Sequence, residues 1–81
     1  MDKTVSVSGI DEYKNPISQL VQTACKYDSH ISLESGTKSI NAKSLLGVMA
    51  FGLKDGMEVN IKVEGNDEVE ALNAIVDFLT V

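Results

Sequence analysis

Few side chains in this sequence have chemistry to offer. There is one histidine, His30, and one cysteine, Cys25. Neither a Ser–His–Asp nor a Cys–His set can be assembled around them, and a structural zinc site needs four Cys or His ligands. His30 stands in an alternating stretch with Ser32 and Glu34 and reads as a solvated strand residue. Cys25 falls on the apolar face of a helical pattern and reads as a small buried hydrophobe. A lone thiol excludes an intramolecular disulfide. No glycine-rich phosphate loop is present. These residues predict no metal, no cofactor and no small-molecule substrate.

Two other positions invite chemistry. Asp11 and Glu12 are adjacent carboxylates just before a helical pattern, where they suit a helix N-terminus. A carboxylate nucleophile there would need a cation, and Lys14 is the one nearby. Ser44 opens an apolar run, Leu45 to Leu53. Its hydroxyl suits a helix N-cap, and a phosphate on it would meet free backbone N–H groups. Leu45, Leu46, Val48, Met49, Phe51 and Leu53 leave that short helix apolar nearly all round. Either Val48 and Phe51 face a core while the rest lie under loops, or part of the run stays exposed as a protein contact.

Charge limits the partners. All seven basic residues are lysines, against twelve acidic ones, for a net charge of -5. Nucleic acid and anionic membranes require clustered basic surface, so both are excluded. Without arginine there is no planar clamp for phosphate or carboxylate. A chain of 81 residues suits one domain, 1–81, with little room for a deep cavity, so a binding or carrier module is expected rather than an enzyme. The polar, alternating start is no signal peptide and Leu45–Leu53 is too short to span a bilayer, so a cytoplasmic protein is expected.

The elements that must position these residues follow from periodicity. Thr4–Ser8 alternates as a strand with Val5 and Val7 on one face. Asn15-Pro16 reads as an N-cap followed by proline at the first helical position. Ile17, Leu20, Val21, Ala24 and Cys25 then form a helical stripe that should end near Tyr27-Asp28. His30–Glu34 and Thr37–Ala42 predict a hairpin. Met57, Val59, Ile61 and Val63 alternate most cleanly of all. Asp67 and Glu70 resemble a capping box, opening a last helix with Val69, Leu72, Ile75, Val76 and Leu79 on one face. The order β-α-β-β-α-β-α predicts an α+β fold, an antiparallel sheet covered on one side by helices. Val5, Val7, Ile17, Leu20, Val21, Ile31, Leu33, Val59, Ile61, Leu72, Ile75 and Leu79 are the expected core.

The stretches VQTACKYD (21–28), NAKSLLGVMAFG (41–52) and EALNAI (70–75) strongly resemble the HPr phosphocarrier family of the bacterial phosphotransferase system. The resemblance covers essentially the whole chain. It implies an open-faced sandwich with a four-stranded sheet in the order 1-4-2-3. Family members carry phosphate on a histidine in a G-I-H-A-R-P motif. Here the corresponding stretch runs from Gly9 to Pro16 and holds neither histidine nor arginine. Aligned without gaps from Pro16, Tyr13 stands at the family histidine and Asn15 at the family arginine; aligned on Gly9-Ile10, Asp11 takes the histidine's place. Asp11 and Glu12 would repel an incoming phosphoryl group.

Ser44 matches the family's regulatory serine, the target of a bifunctional kinase/phosphorylase. Lys43, Leu45, Leu46, Met49 and Leu53 match the surface shown to kinase, transcription-regulator and phosphotransferase partners. The resemblance therefore implies a regulatory, non-enzymatic protein of the Crh branch, the catabolite-repression HPr homologues, switched at Ser44. An atypical carrier using Asp11 or Tyr13, or a binding module without phosphate chemistry, are the alternatives.

Overall fold

The computed structural model of the chain describes residues 1–80. In chain order the elements are β1 (Asp2–Ser6), a 3-10 turn (Ile10–Glu12), α1 (Pro16–Cys25), β2 (His30–Ser35), β3 (Lys38–Asn41), α2 (Leu45–Phe51), β4 (Glu58–Glu64) and α3 (Glu68–Leu79). The four strands form one antiparallel sheet in the order β1-β4-β2-β3, as the family resemblance implies. Alternation along β4 sends Val59, Ile61 and Val63 to the helix side, where all three are fully buried. The register sets Val59 opposite Val5, and sets Ile61 and Val63 opposite Leu33 and Ile31.

Three helices cover this face. α1 contributes Leu20 and Ala24, α2 Val48 and Phe51, and α3 Ala71, Leu72, Ile75, Phe78 and Leu79. Ile17, Val21 and Val5 are partly buried against the same cluster. The other sheet face is polar. On it Lys62 pairs with Glu34 at 3.3 Å, and Asn60 Nδ2 donates to Thr4 Oγ1 and Asp2 Oδ2. No described helix is long and apolar enough to cross a membrane.

Several local expectations need correction. β1 lies two residues earlier than the alternation suggested, at Asp2–Ser6. Val7 is beyond the strand yet buried, its N–H bound to the Met57 carbonyl at 2.8 Å. α1 stops at Cys25, because Lys26 and Tyr27 donate to the carbonyls three residues back, at Thr23 and Ala24, and tighten the end. Cys25 is exposed, not buried: it closes the last turn at the margin of the stripe that Leu20 and Ala24 centre. Val69 is likewise exposed, because α3 turns Leu72, Ile75 and Leu79 inward and leaves Val69 off that stripe. Asn15 occupies the N-cap position of α1 without a side-chain capping bond.

The capping box is also absent. Asp67 stands at the N-cap position of α3, but its side chain does not cap the helix. Its carboxylate instead accepts from Asp28 N (2.9 Å), Ser29 N (3.0 Å) and Ser29 Oγ (2.5 Å). This clasp joins the α1–β2 turn to the start of α3 and satisfies the hydroxyl of buried Ser29. Gly65 makes room for it: at φ 151° a Cβ there would lie 2.6 Å from Ser29 Cα.

Two measurements test this packing. Leu33 is fully buried, so Leu33→Ala should cost about 2–5 kcal/mol in denaturant melts; an unchanged midpoint would contradict the core assignment. The Ser29 hydroxyl, followed by the Asp28 amide, holds the Asp67 carboxyl below its ordinary range. A depressed carboxyl stabilises the fold above its unfolded pKa, and that contribution is lost as pH falls through the folded value. The stability gap between the native chain and Asp67→Ala should therefore be widest near neutral pH and shrink in acid. A gap independent of pH would refute the clasp.

Candidate functional site

The segment Gly9–Asn15 is tied down along most of its length. Gly9 takes a left-handed conformation (φ 74°) that starts the 3-10 turn. Both the Gly9 and Ile10 amides donate to the Asp55 carboxylate, at 3.2 and 3.0 Å. Ile10 is buried in the core while Asp11 and Glu12 face solvent. Tyr13 closes the segment. Its ring stacks on Phe78, centroids 4.1 Å apart and nearly parallel, and its hydroxyl donates to the Phe78 carbonyl at 3.0 Å. The Ser8 amide donates to the next carbonyl, Leu79 O, at 2.8 Å. The last carbonyls of α3, which have no partner within their own helix, are thus bonded by the segment before α1. Burial, with the Glu12 charge adding to it, pushes the Tyr13 phenol above its usual value.

α2 forms the second half of the region. Ser44 is its N-cap, and Ser44 Oγ accepts from Gly47 N at 3.1 Å. Gly52 ends the helix in the left-handed region, at φ 77°. The turn before it is fixed by Asn41, whose Oδ1 accepts from Lys43 N at 2.9 Å and whose carbonyl accepts from Ser44 N at 3.0 Å. Lys43 Nζ donates to the Tyr27 carbonyl at 2.6 Å.

The two arrangements open for Leu45–Leu53 are each partly realised. Val48 and Phe51 point inward and are buried. Leu45 (47% exposed), Leu46 (78%) and Met49 (55%) remain on the surface. Leu53 does not join them; it is partly buried against the core. Ser44 is half-buried rather than fully exposed, because its hydroxyl folds back over the first turn of α2.

α1 and α2 pack side by side. Between them lies an open depression of about 290 Å³ lined by Asn15, Pro16, Ile17, Ser18, Leu45 and Met49. The structure therefore gathers Asn15, Leu45 and Met49 around one hollow. Tyr13 is turned to α3, and His30 stands exposed on β2, opposite Glu64 on β4. Sequence reasoning missed Asp55, Phe78 and Asn41. Asp55 carried a signal only as half of an Asp-Gly turn; Phe78 carried none, since its partner Tyr13 is distant in sequence; Asn41 carried the local signal of an Asx turn, its side chain accepting from the amide two residues on.

A two-layer sandwich with this strand order, and a capped short helix beside the N-terminus of the first long one, is the architecture of the HPr class of small phosphocarrier-type domains. The family model described as the PTS HPr component phosphorylation site matches residues 4–80, and the chain belongs to this family. Its fold is similar to HPr from Bacillus anthracis, at 32% identity and TM-score 0.91, with 99% of this chain and 96% of that one covered. It is similar to HPr from Thermoanaerobacter tengcongensis, at 36% identity and TM-score 0.86, covering 98% and 90%. It is also similar to Crh, the Bacillus subtilis catabolite repression HPr, in its solution structure, at 31% identity and TM-score 0.71, covering 99% and 96%.

The Tyr13 contacts can be measured. Tyr13→Phe keeps the stack and loses the bond to Phe78 O, which should cost about 0.5–1.5 kcal/mol. Tyr13→Ala loses both and should cost more. Equal stability of all three proteins would show that the segment is not held through Tyr13.

Proposed function

We propose that this HPr-family chain is a regulatory, non-enzymatic protein of the Crh type, switched by phosphorylation of Ser44 and unable to carry phosphohistidine. The observation that carries this reading is the placement of Ser44 at the N-cap of a helix whose outer face, Leu45, Leu46 and Met49, is apolar and exposed. A phosphate on Ser44 adds roughly -1.5 to -2 charge at neutral pH within one turn of those side chains. A partner that buries them must also meet the new charge. Lys or Arg at its rim would form charge-assisted bonds, and Asp or Glu would be repelled.

Phosphohistidine transfer has no support in the segment before α1. Gly9–Asn15 contains neither histidine nor arginine, and the Tyr13 hydroxyl is committed to Phe78 O. The expected partners are an HPr-type kinase/phosphorylase and a transcription regulator, met in the cytoplasm through the α2 face. Lys43 belongs to this surface as the residue that ties the turn before Ser44 to Tyr27.

Intact-mass measurement after two treatments tests the reading. HPr kinase with ATP should add one phosphate, absent from Ser44→Ala. Enzyme I with phosphoenolpyruvate should add none. A phosphate mapped to Asp11, Tyr13 or His30 after the second treatment would establish an atypical carrier. An unmodified Ser44 after the first would leave it a helix cap alone.

A further inference from the structure

Outside the Ser44 switch, the most unusual feature of the surface is the pair Asp11 and Glu12. Both are exposed on the 3-10 turn, which packs against α1 and leads through Tyr13 and Lys14 into Asn15 and Pro16 on the wall of the apolar depression. Among the described residues neither takes part in an ion pair. Lys14 is the one cation of the segment, against two carboxylates. Lys43, the cation nearest in sequence to Leu45, directs its ammonium to the Tyr27 carbonyl.

The turn that displays the two acids is also held in place. Ile10 is buried beneath it, Asp55 receives the Gly9 and Ile10 amides, and Tyr13 is stacked and bonded to Phe78. Fixed charges lose little conformational freedom on binding, so a partner meets them ready-made. A hollow lined by Pro16, Ile17, Leu45 and Met49, with Leu46 exposed on α2, offers apolar area at the start of α1, just after the turn.

We infer that the Asp11–Glu12 turn and the α1–α2 depression form one docking surface, whose partner is a protein element with an apolar side chain flanked by Lys or Arg. Charge complementarity decides the occupant. A second copy of this chain, at net charge -5, would bring like charge to the rim, and an acidic protein surface would be repelled. The inference rests on the α2 face being a docking face and adds the chemistry of what docks.

The test uses the intact protein, labelled with 15N, and two synthetic amphipathic helical peptides. They share a leucine stripe and differ in flanks, one with Lys and Arg, the other with Glu. The basic peptide should shift the amide signals of Ile10–Tyr13 and Leu45–Met49 together, and more weakly as salt is raised. Combining Asp11→Asn with Glu12→Gln should weaken that binding about three- to tenfold. Both residues are exposed, so the variant should keep the native spectrum elsewhere. The inference is overturned if both peptides bind alike, if neither binds, if the double variant binds as well as the native chain, or if the shifts map to another face. The Ser44 reading fails separately. A phosphorylated Ser44 with no preference for the basic peptide removes only the acidic rim, while an inert Ser44 with that preference intact removes only the switch.

Discussion

The period-two alternation of β4 is the constraint on which the rest of the molecule depends. β4 pairs with β1 on one side and β2 on the other, so its register fixes three of the four strands. Val59, Ile61 and Val63 have no exposed surface, and a slip of one residue would carry all three to the polar face. The helices then have one place to go. α1 and α3 lay Leu20, Ala24, Ile75 and Leu79 over these side chains, and α2 adds Val48 and Phe51. The opposite face stays uncovered because its own polar groups satisfy one another, as in the Lys62–Glu34 pair and the Asn60 bonds to Asp2 and Thr4.

With that frame in place, the segment before α1 is shaped almost wholly by residues distant in sequence. Asp55, 45 residues from Ile10, receives its amide, and Phe78, 65 residues from Tyr13, receives its hydroxyl and its ring. Each bond meets a need of its own. Gly9 and Ile10 would otherwise start a turn with unbonded amides, and the last carbonyls of α3 lack partners within their helix. One short segment thereby closes the end of α3 and is fixed in return, which leaves its outward side chains, Asp11 and Glu12, at defined positions.

This division explains what the sequence made legible. Local periodicity located all four strands and three long-range features of the core: the β4 face, the α1 stripe and the α3 stripe. The start of α2 after Ser44 is legible, because capping is read from a single residue and its immediate neighbours. The errors fall where a local pattern competed with tertiary bonds. Asp67 has the sequence of a capping residue, but the Asp28 and Ser29 amides and the Ser29 hydroxyl together offered its carboxylate three donors away from the helix. Cys25 and Val69 sit at the margins of their stripes, where periodicity decides least. Strand order came from family resemblance alone, since alternation says which face a residue takes and not which strand lies beside it.

α2 shows how one short element can hold the fold and present a surface at once. Its inward residues, Val48 and Phe51, anchor it against the sheet layer, while Leu45, Leu46 and Met49 remain on the surface. Ser44 stands between the two roles. Its oxygen accepts from Gly47 and closes the first turn, yet it adjoins the outward leucines. The turn before it is held independently, by Asn41 through the Lys43 and Ser44 amides and by Lys43 through the Tyr27 carbonyl. A charged group on Ser44 Oγ would stand beside Leu45 and Leu46, while the burial of Val48 and Phe51 that places α2 on the sheet does not involve that oxygen. The capping bond is the one interaction it touches, and an added anionic group retains oxygens that accept from the same Gly47 amide.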